Sequence, residues 1–321
     1  MESIGNAWWY TGFAVFVVVA LAIDLVALDK KAGQKVTVKE AINWSLLWFG
    51  LSFVFAAGLW WYLDGNMGRE VANVKTTEFL TGYLIEKSLS VDNIFVFLMI
   101  FTYFAIPAEY QRRALVLGVI GAIVLRVIMI LIGAWLIAKF HWILYVFGAF
   151  LLITGVKMLI FADEKPDLEK NPVLKWMRGH MNIARELTGE KLTVMKDGVR
   201  WFTPMFVVLV LIGVTDIIFA VDSIPAIFAI TDDPFIVLTS NIFAILGLRA
   251  LYFLLADMAD RFHLLSYGLA IVLMFVGVKM LIVEFYKIPV FLSLGIVAAI
   301  LAAAVVASLK IPKRDSDRPA G

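Results

Sequence analysis

The chain has no cysteine among its 321 residues, which excludes disulfides, thiolate metal sites and thiol redox chemistry. It has only three histidines, His141, His180 and His263, and all fall at the ends of apolar runs or in a loop. No Ser/His/Asp set, phosphate-binding glycine loop or cofactor motif occurs, so an enzyme is the least supported class and no permanently bound cofactor is expected. Charge is sparse as well. Asp, Glu, Lys and Arg make up 17% of the chain, against about a quarter in a soluble domain. A net charge of +2 is too small to suggest a nucleic-acid partner.

What the chain has in excess is apolar length. It is 62% hydrophobic with a mean hydropathy of +0.91, and long apolar runs recur from end to end. The expected class is an all-α polytopic membrane protein, with residues 1–321 forming a single transmembrane domain. A helix needs roughly 20 apolar residues to cross the hydrocarbon layer. Nine such segments are predicted, near 7–28, 41–63, 78–104, 114–138, 142–162, 203–230, 235–256, 264–284 and 289–309. No basic segment precedes the first run, and Lys30 and Lys31 follow it, a polarity that marks a retained span rather than a cleaved signal.

Basic residues set the orientation. Alternate connections carry Lys30, Lys31, Lys35 and Lys39, then Arg112 and Arg113, eight more in 163–202, Arg261, and Lys310, Lys313, Arg314 and Arg318 in the tail 310–321. The opposite connections hold only Arg69, Lys75, Lys139 and Lys287. The positive-inside rule makes the first set cytoplasmic. The amino terminus is then outside and the carboxyl terminus inside. The loop 163–202 is polar and mixed in sign. It reads as a solvated connector, with a helical piece near 171–187 along the membrane surface.

The chain also repeats itself. Residues 138–160 and 260–282 align without a gap, identical at 10 of 23 positions and closing on "GVKMLI" in both. Upstream, a carboxylate segment and then a helix bearing an arginine (Arg126, Arg249) recur in the same order. Helices three to five (78–162) thus match helices six to eight (203–284). An offset of three helices reverses direction across the bilayer, the inverted repeat typical of secondary transporters.

Each copy sets two acids six residues apart in its apolar run: Glu86 and Asp92 in "YLIEKSLSVDN", Asp216 and Asp222 in "GVTDIIFAVDS". An ionised Asp at the bilayer centre costs roughly 2.5–3.5 kcal/mol, so such groups must face a cavity, pair with a cation or hold a proton. Six residues turn roughly 600° and rise roughly 9 Å, and one regular helix cannot close both acids on a single ion. Either the helix breaks, which Pro225 would favour by freeing carbonyls near Ala220 and Val221, or the acids serve successive positions on a path. Asn93 and Ser223, seven residues beyond Glu86 and Asp216, share their faces and complete an all-oxygen donor set suited to hard divalent ions. The competing readings are that the acids neutralise Lys87, Arg126 and Arg249, or relay protons without metal. Asp24 is an accessory candidate near the cytoplasmic end of the first span, and Asn241 is a candidate ligand or interhelical hydrogen-bonder.

The motifs "GYLIEKSLSVDNIFVF", "DIIFAVDSIPAIFAIT" and "DPFIVLTSNIFAILGLRALYFLL" resemble those of the TerC family of integral membrane proteins over essentially the whole chain. The resemblance implies membership of a superfamily of cation and amino-acid exporters, export of Mn²⁺ from the cytoplasm across a bacterial inner membrane and, for TerC itself, a link to tellurium resistance. It also carries the family's acidic positions onto Glu86, Asp92, Asp216 and Asp222. One position departs: where the family pattern reads E-x-x-D, this chain has Gly213 three residues before Asp216. Divalent metal, protons and the lipid bilayer are the expected partners. Other cation/proton antiport, or a membrane scaffold without transport, are the alternatives.

Overall fold

The computed structural model describes residues 3–29, 37–140, 142–160, 168–184, 186–196, 198–256, 264–283 and 285–311, and leaves the side chains of 24–29, 91, 92 and 95 undescribed. The side chains of Asp24 and Asp92, together with His141, Arg261, His263 and tail residues 312–321, therefore lie outside the described set. The described residues form eleven α-helices, a 3-10 turn at Leu168–Lys170 and one two-stranded hairpin. In chain order the helices are α1 (Ala7–Asp29), α2 (Val38–Met67), α3 (Arg69–Tyr103), α4 (Ala108–Lys139), α5 (Ile143–Ile160), α6 (Pro172–His180), α7 (Pro204–Phe228), α8 (Pro234–Leu246), α9 (Leu248–Ala256), α10 (Leu265–Leu281) and α11 (Val290–Lys310).

Helix boundaries follow local chemistry. Thr37 caps α2 by accepting the Glu40 N–H at 3.3 Å. Asn171 caps α6 by accepting from Val173 and Leu174, and Asp233 caps α8 by accepting from Phe235 at 3.0 Å. Proline follows each of the last two caps and also opens α7, where its missing N–H costs nothing. Gly68, at φ 91°, separates α2 from α3 in a conformation that L side chains rarely adopt.

Among the described residues five helices are long and apolar enough to cross a membrane: α2, α4, α5, α7 and α11. A sixth span results if α8 and α9, bent by 41° at Gly247, count as one. Helices α1 and α10 offer shorter apolar stretches, Ala7–Ile23 and Leu265–Leu281. The α3 helix has 35 residues, about 52 Å of length, but Lys75, Glu78, Glu86, Lys87 and Asp92 interrupt its apolar character. Among the described residues the nine predicted spans thus become five or six by length and composition, with charge interrupting α3 and only part of the first span within the described side chains.

Two expectations change. The break anticipated at Pro225 does not form, and α7 runs unbroken to Phe228. Pro225 stands in the final turn, so the ladder loses one bond, and its own carbonyl still accepts the Ala229 N–H at 3.0 Å. The interruption falls one span later, at Gly247 between α8 and α9. The loop 163–202 is also more ordered than a connector. Its helix ends at His180, and β1 (Thr193–Lys196) pairs antiparallel with β2 (Val199–Phe202).

The α5 and α10 helices pack backbone against backbone at their glycines. A Cβ added at Gly148 would lie 3.1 Å from the Gly277 carbonyl oxygen, and one at Gly155 would lie 2.8 Å from that of Ala270. The core runs from α3 and α7 out to α10 and α11 (Phe97, Val208, Leu211, Leu269, Leu273, Val297), and a second cluster joins α1 and α2 to α3 and α8.

Beyond α3 the chain turns at Ala105, at φ 48°, the one described non-glycine residue with positive φ. The Ile106 N–H reaches back to Phe101 O at 2.9 Å, closing the α3 carboxyl end. Left-handed backbone costs a β-carbon about 1–2 kcal/mol, whereas glycine gains unfolded-chain entropy of about 0.4–1 kcal/mol. Ala105→Gly is therefore expected to stabilise the protein by about 0.5–1 kcal/mol, read from its denaturation midpoint in detergent.

Candidate functional site

Four helices converge on Arg126. It lies in the middle of α4 with 1% of its surface exposed, and Glu86 from α3 and Asp216 from α7 are 0% and 2% exposed. Arg126 Nη1 donates to Glu86 Oε1, to Ser223 Oγ at 2.7 Å and to Asn241 Oδ1 at 2.8 Å. Arg126 Nη2 stands 3.7 Å from Asp216 Oδ1. Small residues let these helices approach: Gly118 of α4 faces Ile212 of α7, and Gly82 of α3 faces Ser240 of α8.

The cluster is incompletely satisfied. Nη1 has two hydrogens for three acceptors, and Glu86 Oε2, Asp216 Oδ2 and Arg126 Nε have no hydrogen-bond partner although buried. Asn93 Oδ1, about 10 Å further along α3, is likewise buried and unpartnered. Two carboxylates face one guanidinium, a formal charge of −1 in apolar surroundings. Lys87 does not cancel it. Its ammonium points elsewhere, donating to Ala244 O at 3.1 Å beside the α8–α9 break and lying over the Phe49 ring.

The structure thus brings together Glu86, Asp216, Ser223, Arg126 and Asn241. It places Asp222 apart from them, on the side of α7 that faces α5, where Thr154 Oγ1 donates to it at 3.3 Å. The Arg249 guanidinium lies over the Trp44 ring, 5.7 Å from its centroid. Among the described residues no three His, Asp or Glu side chains form a group that could hold a metal ion. An ion at this centre would be bound by two carboxylates with hydroxyl and amide oxygens in support.

A second polar cluster escaped the sequence reading. Lys75 donates to Glu78 Oε2 at 2.9 Å, Thr231 donates to the same oxygen at 2.6 Å, and Asp233 stands 3.8 Å from Lys75. Asp233 also accepts the Ile4 N–H at 3.0 Å, tying the chain start to α3 and to the α7–α8 turn. Glu78 stands eight residues, about 12 Å, before Glu86. Its spacing from Glu86 along α3 was the available signal, but Glu78 falls on the first residue of the predicted span and reads as an edge residue.

Comparison with known proteins adds ancestry. The profile described as "Integral membrane protein TerC family" matches residues 71–316. A protein of Salmonella typhi named "Putative membrane-bound redox modulator Alx" is 54% identical over 95% of both chains. Its namesake in Escherichia coli strain K12 is 55% identical over 94% of both, and that of Photorhabdus laumondii is 51% identical over 98% of both. No solved structure matches the chain.

Proposed function

Because this chain belongs to the TerC family of integral membrane proteins, we propose that it is a secondary transporter exporting Mn²⁺ from the bacterial cytoplasm in exchange for protons. The observation that carries this reading is the set of buried, unpartnered oxygens on Glu86 and Asp216 around a single arginine. Buried polar groups are nearly always satisfied, and unsatisfied anionic oxygens with a net charge of −1 call for a cation or a proton. Carboxylate, hydroxyl and amide oxygens suit a hard divalent ion. The same carboxylates must shed protons to bind metal, which makes exchange of one for the other the simplest coupling. The outward direction and the choice of Mn²⁺ follow the family resemblance.

In this reading α1, α3 and α10 also cross the bilayer, completing nine spans with the amino terminus outside. The α5–α10 contacts support an inverted repeat of 78–162 and 203–284. The aligned segments differ by 260 − 138 = 122 residues, so Gly148 corresponds to Ala270 and Gly155 to Gly277. A two-fold axis must then turn the Gly148–Gly277 contact into a contact between Ala270 and Gly155, and both contacts occur. Glu78, Glu86 and Asn93 follow one another down α3, marking successive stations along a path. The redox role in the relatives' name has no thiol to act through in this chain.

The test is cytoplasmic manganese after a manganese load in cells with and without the protein. Export predicts lower metal content in the expressing cells, and equal contents would reject it. A Ca²⁺/proton or Na⁺/proton antiporter would move its own cation in the same assay. A scaffold of the tellurium-resistance type would move none. Gly213 supplies a further prediction. The place where its side chain would project is open, with nothing within 4 Å, one turn from Asp216. Gly213→Glu is expected to raise manganese flux about twofold or more, because an added carboxylate at i,i+3 can share the ion. Unchanged flux would remove position 213 from the coordination sphere.

A further inference from the structure

Lys87, the residue after Glu86 on α3, is buried at 6% exposure, and ion binding at the centre makes no direct use of it. Lysine is rarely this buried without a defined partner. Its Nζ donates to Ala244 O at 3.1 Å and lies 5.3 Å from the centroid of the Phe49 ring of α2. Ala244 stands in the last turn of α8, where carbonyls lack a partner within the helix. The bend at Gly247 leaves room for the donor. Gly247 has φ −83°, a conformation open to any L residue, so the backbone alone does not call for glycine there. Space does. A Cβ added at Gly247 would stand 2.5 Å from Lys87 Nζ and 3.2 Å from Trp48 Cβ. The missing side chain and the amino group interlock at the bend.

This contact closes a ring beside the ion centre. Arg126 of α4 donates to Glu86 and, at 2.8 Å, to Asn241 Oδ1 of α8. Ala244 lies one turn, about 4.5 Å, beyond Asn241, and Lys87 returns from it to α3 next to Glu86. Helix α8 is thus held at two points a turn apart, once through Arg126 and once through α3 itself. Releasing the second point frees α8 to shift against α3, and Asn241 with it.

We propose that Lys87 is a positioning residue for the ion centre: by donating to Ala244 O in the room left by Gly247, it sets the register of α8 that keeps Asn241 on Arg126 beside the two acids. The proposal rests on the transport reading above. Two substitutions test it from opposite sides. Lys87→Met keeps most of the stem but ends one atom short of Nζ. Gly247→Ala keeps the lysine but puts a methyl group where its amino group lies. The double variant lets that methyl fill the vacated place, so packing is restored without the donor. Manganese flux in proteoliposomes and denaturation midpoints in detergent are measured on the same preparations. Each single variant is expected to lower flux at subsaturating manganese about tenfold or more, chiefly through a raised KM, as for other residues that orient ligands. The double variant should regain the parental midpoint while its flux stays low, and it carries the test should either single variant fold poorly. Parental flux in Lys87→Met or in the double variant would show that Lys87 only fills space, and overturns the positioning role alone. Absence of flux in the parent chain overturns the transport reading. The positioning role is then decided by equilibrium Mn²⁺ binding to the purified protein, which the double variant should weaken about tenfold and which, if equal to the parent's, overturns it.

Discussion

Glu86→Gln is expected to lower manganese flux by about 100-fold or more while leaving the protein folded. Outer-shell changes alone commonly cost 10–100-fold in metal affinity or activity, and Glu86, whose Oε2 is buried without a hydrogen-bond partner, is a direct ligand in the proposed site. The substitution keeps shape and the acceptor that Arg126 uses, but removes the charge that a divalent ion requires. Asp216→Asn is expected to act similarly through Asp216 Oδ2. Asp222→Asn should be milder, because Asp222 faces Thr154 of α5 rather than Arg126. Flux in proteoliposomes orders the three variants, and equal loss in all three would contradict the separation seen in the structure.

Arg126→Leu is expected to be the most destabilising single change, by about 3–5 kcal/mol, because it strands two buried carboxylates without their cation. Asn241 and Ser223 would lose their donor as well. Adding Glu86→Gln and Asp216→Asn to Arg126→Leu should recover most of that loss, since replacing a whole buried ionic group is often neutral. The comparison also separates two roles. If the acids served only to neutralise Arg126, the charge would balance one to one, and Asp216→Asn alone would leave flux intact. Two acids on one arginine leave a surplus, and the transport reading requires flux to vanish in that variant. Denaturation midpoints in detergent, with flux on the same preparations, provide both comparisons.

Much of this was legible in the sequence. Acids amid apolar residues can persist only with a compensating partner, and for Glu86 and Asp216 that partner is Arg126. The grouping of the acids was not legible, because it depends on which face of α7 meets which neighbour. The six-residue spacing separates Asp216 and Asp222 by about 120° in azimuth, but only packing tells that one side meets α4 and the other α5. The position of the helix break was misread for an energetic reason. Pro225 stands so near the end of α7 that its missing N–H leaves the helix intact, whereas Gly247 lies mid-span beside the Lys87 ammonium. The hairpin in 163–202 was written plainly as Asp197-Gly198 between "TVMK" and "VRWF", a strong hairpin signal. The surrounding polar residues obscured it.

The central claim is that the Glu86–Asp216–Arg126 centre binds a divalent cation. Electron paramagnetic resonance of Mn²⁺ titrated into the purified protein tests it most directly, by counting ions bound per chain. The account predicts one saturable ion that disappears in Glu86→Gln and in Asp216→Asn. Binding that is absent from the parent protein, or unchanged in both variants, would contradict it.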